Sequence, residues 1–370
     1  MLPPWSSASV ASDAARRIAV VLFNLGGPDR PEALRPFLLN LFSDPAILRV
    51  PFFVRPILAR LIARARVKPA SENYALLGGK SPLLELTREQ AVALQDALAD
   101  PSLATETRCF IAMRYWHPFS EEAALAVRDW RPDQVVLLPL YPQFSTTTTG
   151  SSLTAWREAA ARVGLVAETV TLCCYPTDEL YAQATAAGVA RAYDAARATL
   201  PAGQKLRVLF SAHGLPEVIV AGGDPYQYQV ESTVAAVLAA WGAPEIDHAI
   251  CYQSRATPQR WIGPSTEVEI ERAAHDGAAV LVVPIAFVSE HSETLVELDV
   301  EYREVADRLG VPGYFRVPAQ NADPGFIAAL ARLVRHAHAH GPGLCSHLGG
   351  GLCPAVHGDC PHHRVSLPGR

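Results

Sequence analysis

Short apolar runs alternate with amphipathic stretches along almost the whole chain, and this alternation restricts the fold more than any other feature. Runs at 18–25, 107–115, 134–140, 206–212, 247–252 and 279–287 are short and apolar, and read as buried strands. The segments between them carry helical spacing, predicting helices near 87–99, 119–130, 151–163, 177–199, 227–241, 265–276, 290–309 and 324–338. Strand and helix in regular succession give an α/β fold, with parallel sheets flanked by helices. Two segments rhyme. VVLLPLYPQFSTTTTGSSL (135–153) and VLVVPIAFVSEHSETL (280–295) each pass from an apolar strand through a proline and a polar loop to a helix start. A chain of 370 residues has room for two domains of ordinary size. The expectation is two similar halves, 18–170 and 171–339, with a cleft between them. A mobile tail over 1–17 and a Gly-, Pro-, Cys- and His-rich tail over 340–370 complete the chain.

With 49% hydrophobic and 19% charged residues, the chain can fill two cores. A net charge of −5 gives no basic field for nucleic acid, so no such partner is expected. The run IAVVLFNL is too short for a signal-peptide core or a membrane span, and no stretch reaches about 18 uninterrupted apolar residues. A cytoplasmic protein is expected. Seven cysteines, an odd number, argue against a disulfide framework.

Chemistry concentrates where strands end. IAFVSEHSETLVELDVEY (285–302) holds five acids and one histidine without a lysine or arginine. On a helix turning about 100° per residue, Glu290, Glu293, Glu297 and Glu301 form one stripe. A solvated face is the usual meaning of such a stripe. Here no cation relieves the repulsion, and the stripe follows a buried strand, where open α/β sheets bind ligands. A cation, or protons to be accepted, would account for it. VLFSAHGLPEVIVAGGDPY (208–226) delivers His213 to another strand end, and imidazole there is a candidate base or metal ligand. Asp224 and Tyr226 read as residues that build its turn.

NLGGPD (24–29) lacks the spacing of a dinucleotide loop, so no nucleotide is expected. PFFVRPILARLIARARVKP (51–69) mixes apolar and basic residues, as would a lid touching a membrane surface and the acidic groups of an apolar ligand. Ser81 comes next in GGKSPL. Arg114, Tyr115 and Trp116 end another strand, and Trp261 lies in QRWIGPS; cations beside rings suit a flat anionic ligand.

Taken in order from about residue 18 to 338, NLGGPD, GGKSPL, MRYWHP, YPQFSTTTTGSSL, FSAHGLP with GGDPY, WIGPSTE and VPIAFVSEHSETLVELDVEY resemble the ferrochelatases. These enzymes insert ferrous iron into a porphyrin in haem synthesis. The resemblance implies two Rossmann-like domains holding the porphyrin between them, with ferrous iron as substrate. It implies that His213 and the essential carboxylate Glu293 face each other across the reaction, with Glu290, His291, Glu297 and Glu301 forming a polar path. Arg66 and Ser81 match positions that bind propionates; Leu25, Arg114, Tyr115 and Trp261 match pocket positions. A π-helical turn is implied within 290–301. Peripheral membrane contact through 51–69 and a homodimer are further expectations from the resemblance.

The tail LCSHLGGGLCPAVHGDCPHH (344–363) is similar to that of ferrochelatases carrying a [2Fe–2S] cluster on three C-terminal cysteines and one internal cysteine. Cys345, Cys353 and Cys360 would supply three ligands. The segment where cluster-bearing relatives often place the fourth has only threonines here, which leaves Cys173, Cys174 or a tail residue. Cys109 and Cys251 read as core. A tetrapyrrole or metal carrier without turnover is an alternative that would lack the base or the acid, and both are present. A chelatase for cobalt or nickel is another, since the same donors suit several divalent metals. Protoporphyrin and coproporphyrin stay open as substrates.

Overall fold

The computed structural model describes residues 16–99, 105–243, 245–255 and 259–365. Most of the expected tail over 1–17 therefore lies outside the described residues. Nine strands are present among them: β1 (Arg16–Asn24), β2 (Thr105–Met113), β3 (Gln134–Pro139), β4 (Glu168–Leu172), β5 (Lys205–His213), β6 (His248–Gln253), β7 (Ala278–Pro284), β8 (Tyr314–Arg316) and β9 (Gly343–Cys345). They form two sheets, ordered β2-β1-β3-β4-β9 and β6-β5-β7-β8. Every pairing between these strands is parallel.

The halves repeat one topology, since in each the second strand lies outside the first and the third and fourth are added on the other side. The sequence rhyme is thus positional: β3 and β7 hold the same place in their sheets.

Alternation along the strands explains the layering. In β1, Ile18, Val20 and Leu22 face a core shared with the helices Leu83–Leu98 and Pro324–His340. Ala19, Val21 and Phe23 face the helices Ser120–Trp130 and Thr149–Val163. In β7, Ala279, Leu281 and Val283 pack toward Glu179–Thr199 and Tyr226–Trp241, while Ala278, Val280 and Val282 pack toward Thr266–His275 and Leu298. Successive side chains of a strand point to opposite faces, so strands covered on both sides must be apolar throughout. Each fully buried Val or Leu contributes about 1.5–3 kcal/mol.

The two sheets do not take up the chain in simple sequence order. Helix Pro324–His340 packs on the first sheet, and β9 extends that sheet beside β4. Part of 171–339, and the start of the 340–370 tail, therefore belong physically to the first half. The helix Glu179–Thr199 serves both cores, with Tyr181 in one and Ala186 and Val189 in the other.

The expected lid is a turn leading into the helix Arg55–Leu76, which runs past Pro69 and beyond the predicted end at 69. The expected helix over 290–309 is a π-helix, Glu293–Glu301, continuing as an α-helix, Tyr302–Arg308. Helix Leu34–Ser43 is not among the helices expected from the sequence pattern.

Candidate active site

His213 is the last residue of β5, and Gln253 stands beside it as the last residue of β6. The π-helix comes after the neighbouring strand β7, so Glu293, its first residue, reaches the same carboxyl edge. His213 Nδ1 lies 2.9 Å from Glu293 Oε2. His291 Nε2 stands 3.7 Å from the same oxygen. The Phe287 ring packs against His291 and, at greater distance, His213, with centroids 4.9 and 6.5 Å apart. The His213 and Glu293 side chains remain 35% and 27% exposed, so the pair is open to a ligand.

Burial disfavours charge on both groups, yet each serves as the other's counter-ion. For His213 burial is outweighed by the charge and hydrogen bond of Glu293, with Glu297 adding to them, and the imidazole is held above its ordinary 6.5. Burial likewise opposes ionisation of Glu293, but His213 and then His291 hold that carboxyl well below the usual range.

Glu297 sits in a ring of donors. Its Oε2 accepts from Gln253 Nε2 at 3.0 Å and from Ser254 Oγ; its Oε1 accepts from Tyr302 OH at 3.0 Å. Gln253 Nε2 also donates to the Glu293 backbone oxygen at 3.0 Å, and its Oε1 accepts from Ser211 Oγ at 2.9 Å. Burial raises the Glu297 pKa and the Glu293 charge adds to it, against the Ser254 and Gln253 hydrogen bonds. Glu301, exposed at the far end, accepts from Asn73 Nδ2 of the lid helix at 3.0 Å. Glu290 departs from this line and pairs with Arg316 at 2.8 Å.

The other expected residues divide into two groups. Trp261 lies beside Gly214, directly after His213; its ring would stand 3.3 Å from a Cβ placed there. Ser81 is buried against Gly27, where a Cβ would meet the Ser81 side chain at 2.6 Å, so the glycine lets the loop after β1 close onto it. Leu25 is partly buried and Arg66 is exposed on the lid helix. Tyr115 and Arg114 share one partner. Tyr115 is wholly buried and its hydroxyl donates to Asp44 Oδ2 at 2.8 Å. Arg114 donates to the same oxygen at 2.8 Å and to Ser151 Oγ at 2.6 Å. The buried Asp44 turns both side chains inward.

Gln253, Ser254 and Arg316 were not singled out from sequence. The first two had a readable signal, a polar pair closing an apolar strand; Arg316 ends a three-residue strand and had none.

The cysteines gather elsewhere. Cys173 and Cys174 Sγ are 3.3 Å apart, and Cys353 and Cys360 lie close to one another beside them. Gln229 Nε2 joins the pairs, 3.2 Å from Cys353 Sγ and 3.6 Å from Cys174 Sγ. Cys345, by contrast, packs in the apolar core with Val170 and Leu172. Among the described residues no three His, Cys, Asp or Glu side chains are arranged to hold a single ion.

Comparison with known proteins gives the family. A protein of Caulobacter vibrioides named ferrochelatase is 52% identical over 94% of this chain and 97% of its own length. One from Hyphomonas neptunium, likewise named, is 51% identical over 94% and 95%. Among solved structures, SirB from Bacillus subtilis with Fe3+ superposes with a TM-score of 0.50 at 14% identity, covering 88% of this chain and 96% of that one, a likeness of fold. The ferrochelatase family model matches residues 17–338, and with two relatives of about half identity over nearly their whole length, the chain belongs to the ferrochelatase family.

Proposed function

We propose that His213 and Glu293 form the centre at which this ferrochelatase inserts ferrous iron into a porphyrin, with His213 as the first proton acceptor. The observation that carries this reading is the 2.9 Å contact between an imidazole and a carboxylate that both remain open to a ligand. Metalation releases two pyrrole N–H protons for each Fe²⁺ that enters. Neutral His213 takes one, and Glu293 stabilises the imidazolium that forms. The pair resists a second proton because Glu293 is held below the usual range. Glu297, whose pKa is raised, is the next acceptor, and Glu301 opens the path to solvent. His291 lies close enough to share the charge. The porphyrin sits between the halves, its propionates at Arg66 and Ser81 and its rings against Leu25 and Trp261. Arg114 and Tyr115, tied to Asp44, brace that wall from behind.

A carrier without turnover would have no use for a base paired with an acid and a second carboxylate in reserve. The test is anaerobic mixing of the protein with ferrous iron and porphyrin, monitored by haem absorbance. Turnover supports the reading; binding of porphyrin without metalation contradicts it.

The cysteines suit a two-iron cluster better than a single ion. Two thiolates on one tetrahedral iron, each about 2.3 Å from it, stand nearly 4 Å apart. The close Cys173–Cys174 pair, joined through Gln229 to Cys353, supports a [2Fe–2S] ligand set divided two and two. Cys173 with Cys174 and Cys353 with Cys360 would hold it, with Cys345 outside. Such a cluster, when bound, carries one electron at a time.

Phe52 and Phe53, 79% and 67% exposed, lead into a lid helix with Ile57 and Leu61 also outward and Arg60 and Arg64 among them. That apolar, basic lip fits the surface of an anionic membrane. No helix among the described residues is long and apolar enough to cross one.

A further inference from the structure

The first turn of the π-helix that carries Glu293 begins on His291, whose backbone N–H donates to Thr294 Oγ1 at 3.0 Å and whose carbonyl accepts from the Leu295 N–H at 2.9 Å. Ser292, ahead of it, makes no side-chain capping bond, and the wide i→i+5 winding is rare and mostly confined to functional segments. Gln253 holds the Glu293 backbone oxygen from the β6 side, and a second restraint comes from the edge strand β8. Arg316 donates through Nε and Nη2 to the two oxygens of Asp299, each at 2.7 Å. Its Nη1 donates to Glu290 Oε1 at 2.8 Å. The same Glu290 oxygen accepts from the Ala319 backbone at 2.9 Å, and Oε2 is buried without a hydrogen-bond partner. Tyr314 of β8 adds a bond to the Leu298 backbone oxygen at 2.5 Å.

Glu290 precedes Glu293 by one short segment, and Asp299 lies beyond it on the second half of the π-helix. One guanidinium therefore spans the turn on which the reacting carboxylate stands. Only a planar fork with several donors can take one carboxylate through two bonds and a second through another. The pairing also draws Glu290 out of the acidic line, so that Glu293, Glu297 and Glu301 remain as the path.

We propose that Arg316 is a positioning residue for iron insertion: it clips Glu290 to Asp299 and so holds Glu293 toward His213. The inference rests on the reading of Glu293 as His213's partner in the reaction. It predicts a split between chemistry and binding, because the clip touches the acid's turn and none of the residues assigned to the porphyrin.

The test is steady-state haem formation by Arg316→Met, Arg316→Lys, Asp299→Asn and the Arg316→Met/Asp299→Asn pair, with Glu293→Gln alongside. Arg316→Met is expected to lower kcat by about 10- to 100-fold while porphyrin KM stays within about twofold, a displaced catalytic group costing that much. Arg316→Lys should fall between it and the parent, since an ammonium cannot fork. Asp299→Asn should lose kcat in the same way, and the double variant should be no worse than the poorer single one. Additive losses, a porphyrin KM rising in step with the fall in kcat, or full kcat in either Arg316 variant would overturn the clip. Should Arg316→Met not fold, Asp299→Asn decides, because its side chain is partly exposed; unchanged kcat there overturns the proposal. If Glu293→Gln itself keeps turnover, the reading of Glu293 fails; if it loses turnover and the Arg316 variants do not, the clip alone fails.

Discussion

His213 and Glu293 meet at 2.9 Å although 80 residues separate them in sequence. Parallel strands bring them together: β5 and β7 are neighbours, and the chain leaves both strands at the same carboxyl edge. Gln253, ending the strand on the other side of β5, then grips the π-helix through the Glu293 backbone and the Glu297 side chain. His213, Glu293 and Glu297 are thus fixed to one edge by three adjacent strands.

The electrostatics of the pair set a pH dependence. The folded pKa of His213 is raised, so its pairing stabilises the fold fully below about 6.5 and that contribution is lost as pH rises through the folded value. The free base needed to accept a proton appears over the same interval. An NMR titration of the His213 ring should give a midpoint above 6.5 in the parent and a lower one in Glu293→Gln, where Glu297 alone is left to oppose burial. Equal midpoints in the two proteins would contradict the assigned pairing.

Glu297 is predicted to matter for turnover and little for porphyrin binding. Replacing it with Gln should reduce kcat by about 10-fold or more, the usual scale for loss of a positioned proton acceptor. Gln253→Leu, which removes one of its three donors and the hold on Glu293, should lower kcat in the same direction. Quenching of porphyrin fluorescence measures affinity separately; a large loss there would make these residues part of the binding pocket instead.

Much of this was legible in the sequence because the relevant signals are periodic. Six strands announced themselves as apolar runs, although the edge strands β2 and β6 are only partly buried, and the acids and His213 could be placed at strand ends from the sequence alone. The remainder was hidden for physical reasons. β8 and β9 are three residues each, too short for any pattern, and β4 alternates weakly as ETVTL. The return of Pro324–His340 to the first sheet leaves no local mark, since its apolar face would suit either half. Nothing near Arg114 and Tyr115 announced that the distant Asp44 would accept a hydrogen bond from both.

The thiol pairs predict a specific pattern of iron loss. Protein purified without oxygen should carry visible absorbance and about two irons per chain. Cys360→Ser and Cys174→Ser should lose both, while Cys345→Ser should keep them, its side chain being part of the apolar core. Loss of iron in Cys345→Ser with retention in Cys174→Ser would reverse the assignment.

The exposed lip predicts reversible attachment to anionic vesicles. Each phenyl group buried in a lipid surface contributes about 1.5–3 kcal/mol, so changing Phe52 and Phe53 to Ser should weaken binding at least tenfold. Added salt should weaken it further through Arg60 and Arg64. Turnover with dissolved porphyrin should not change, and vesicle binding equal to the parent's would exclude the lip as the contact.

The most direct test of the whole account is haem formation by His213→Ala under anaerobic conditions, with porphyrin binding measured on the same sample. The account predicts that porphyrin still binds, by fluorescence quenching, and that haem absorbance does not develop with ferrous iron. Near-normal turnover in that variant would contradict the central claim that His213, paired with Glu293, takes the first of the protons that iron replaces.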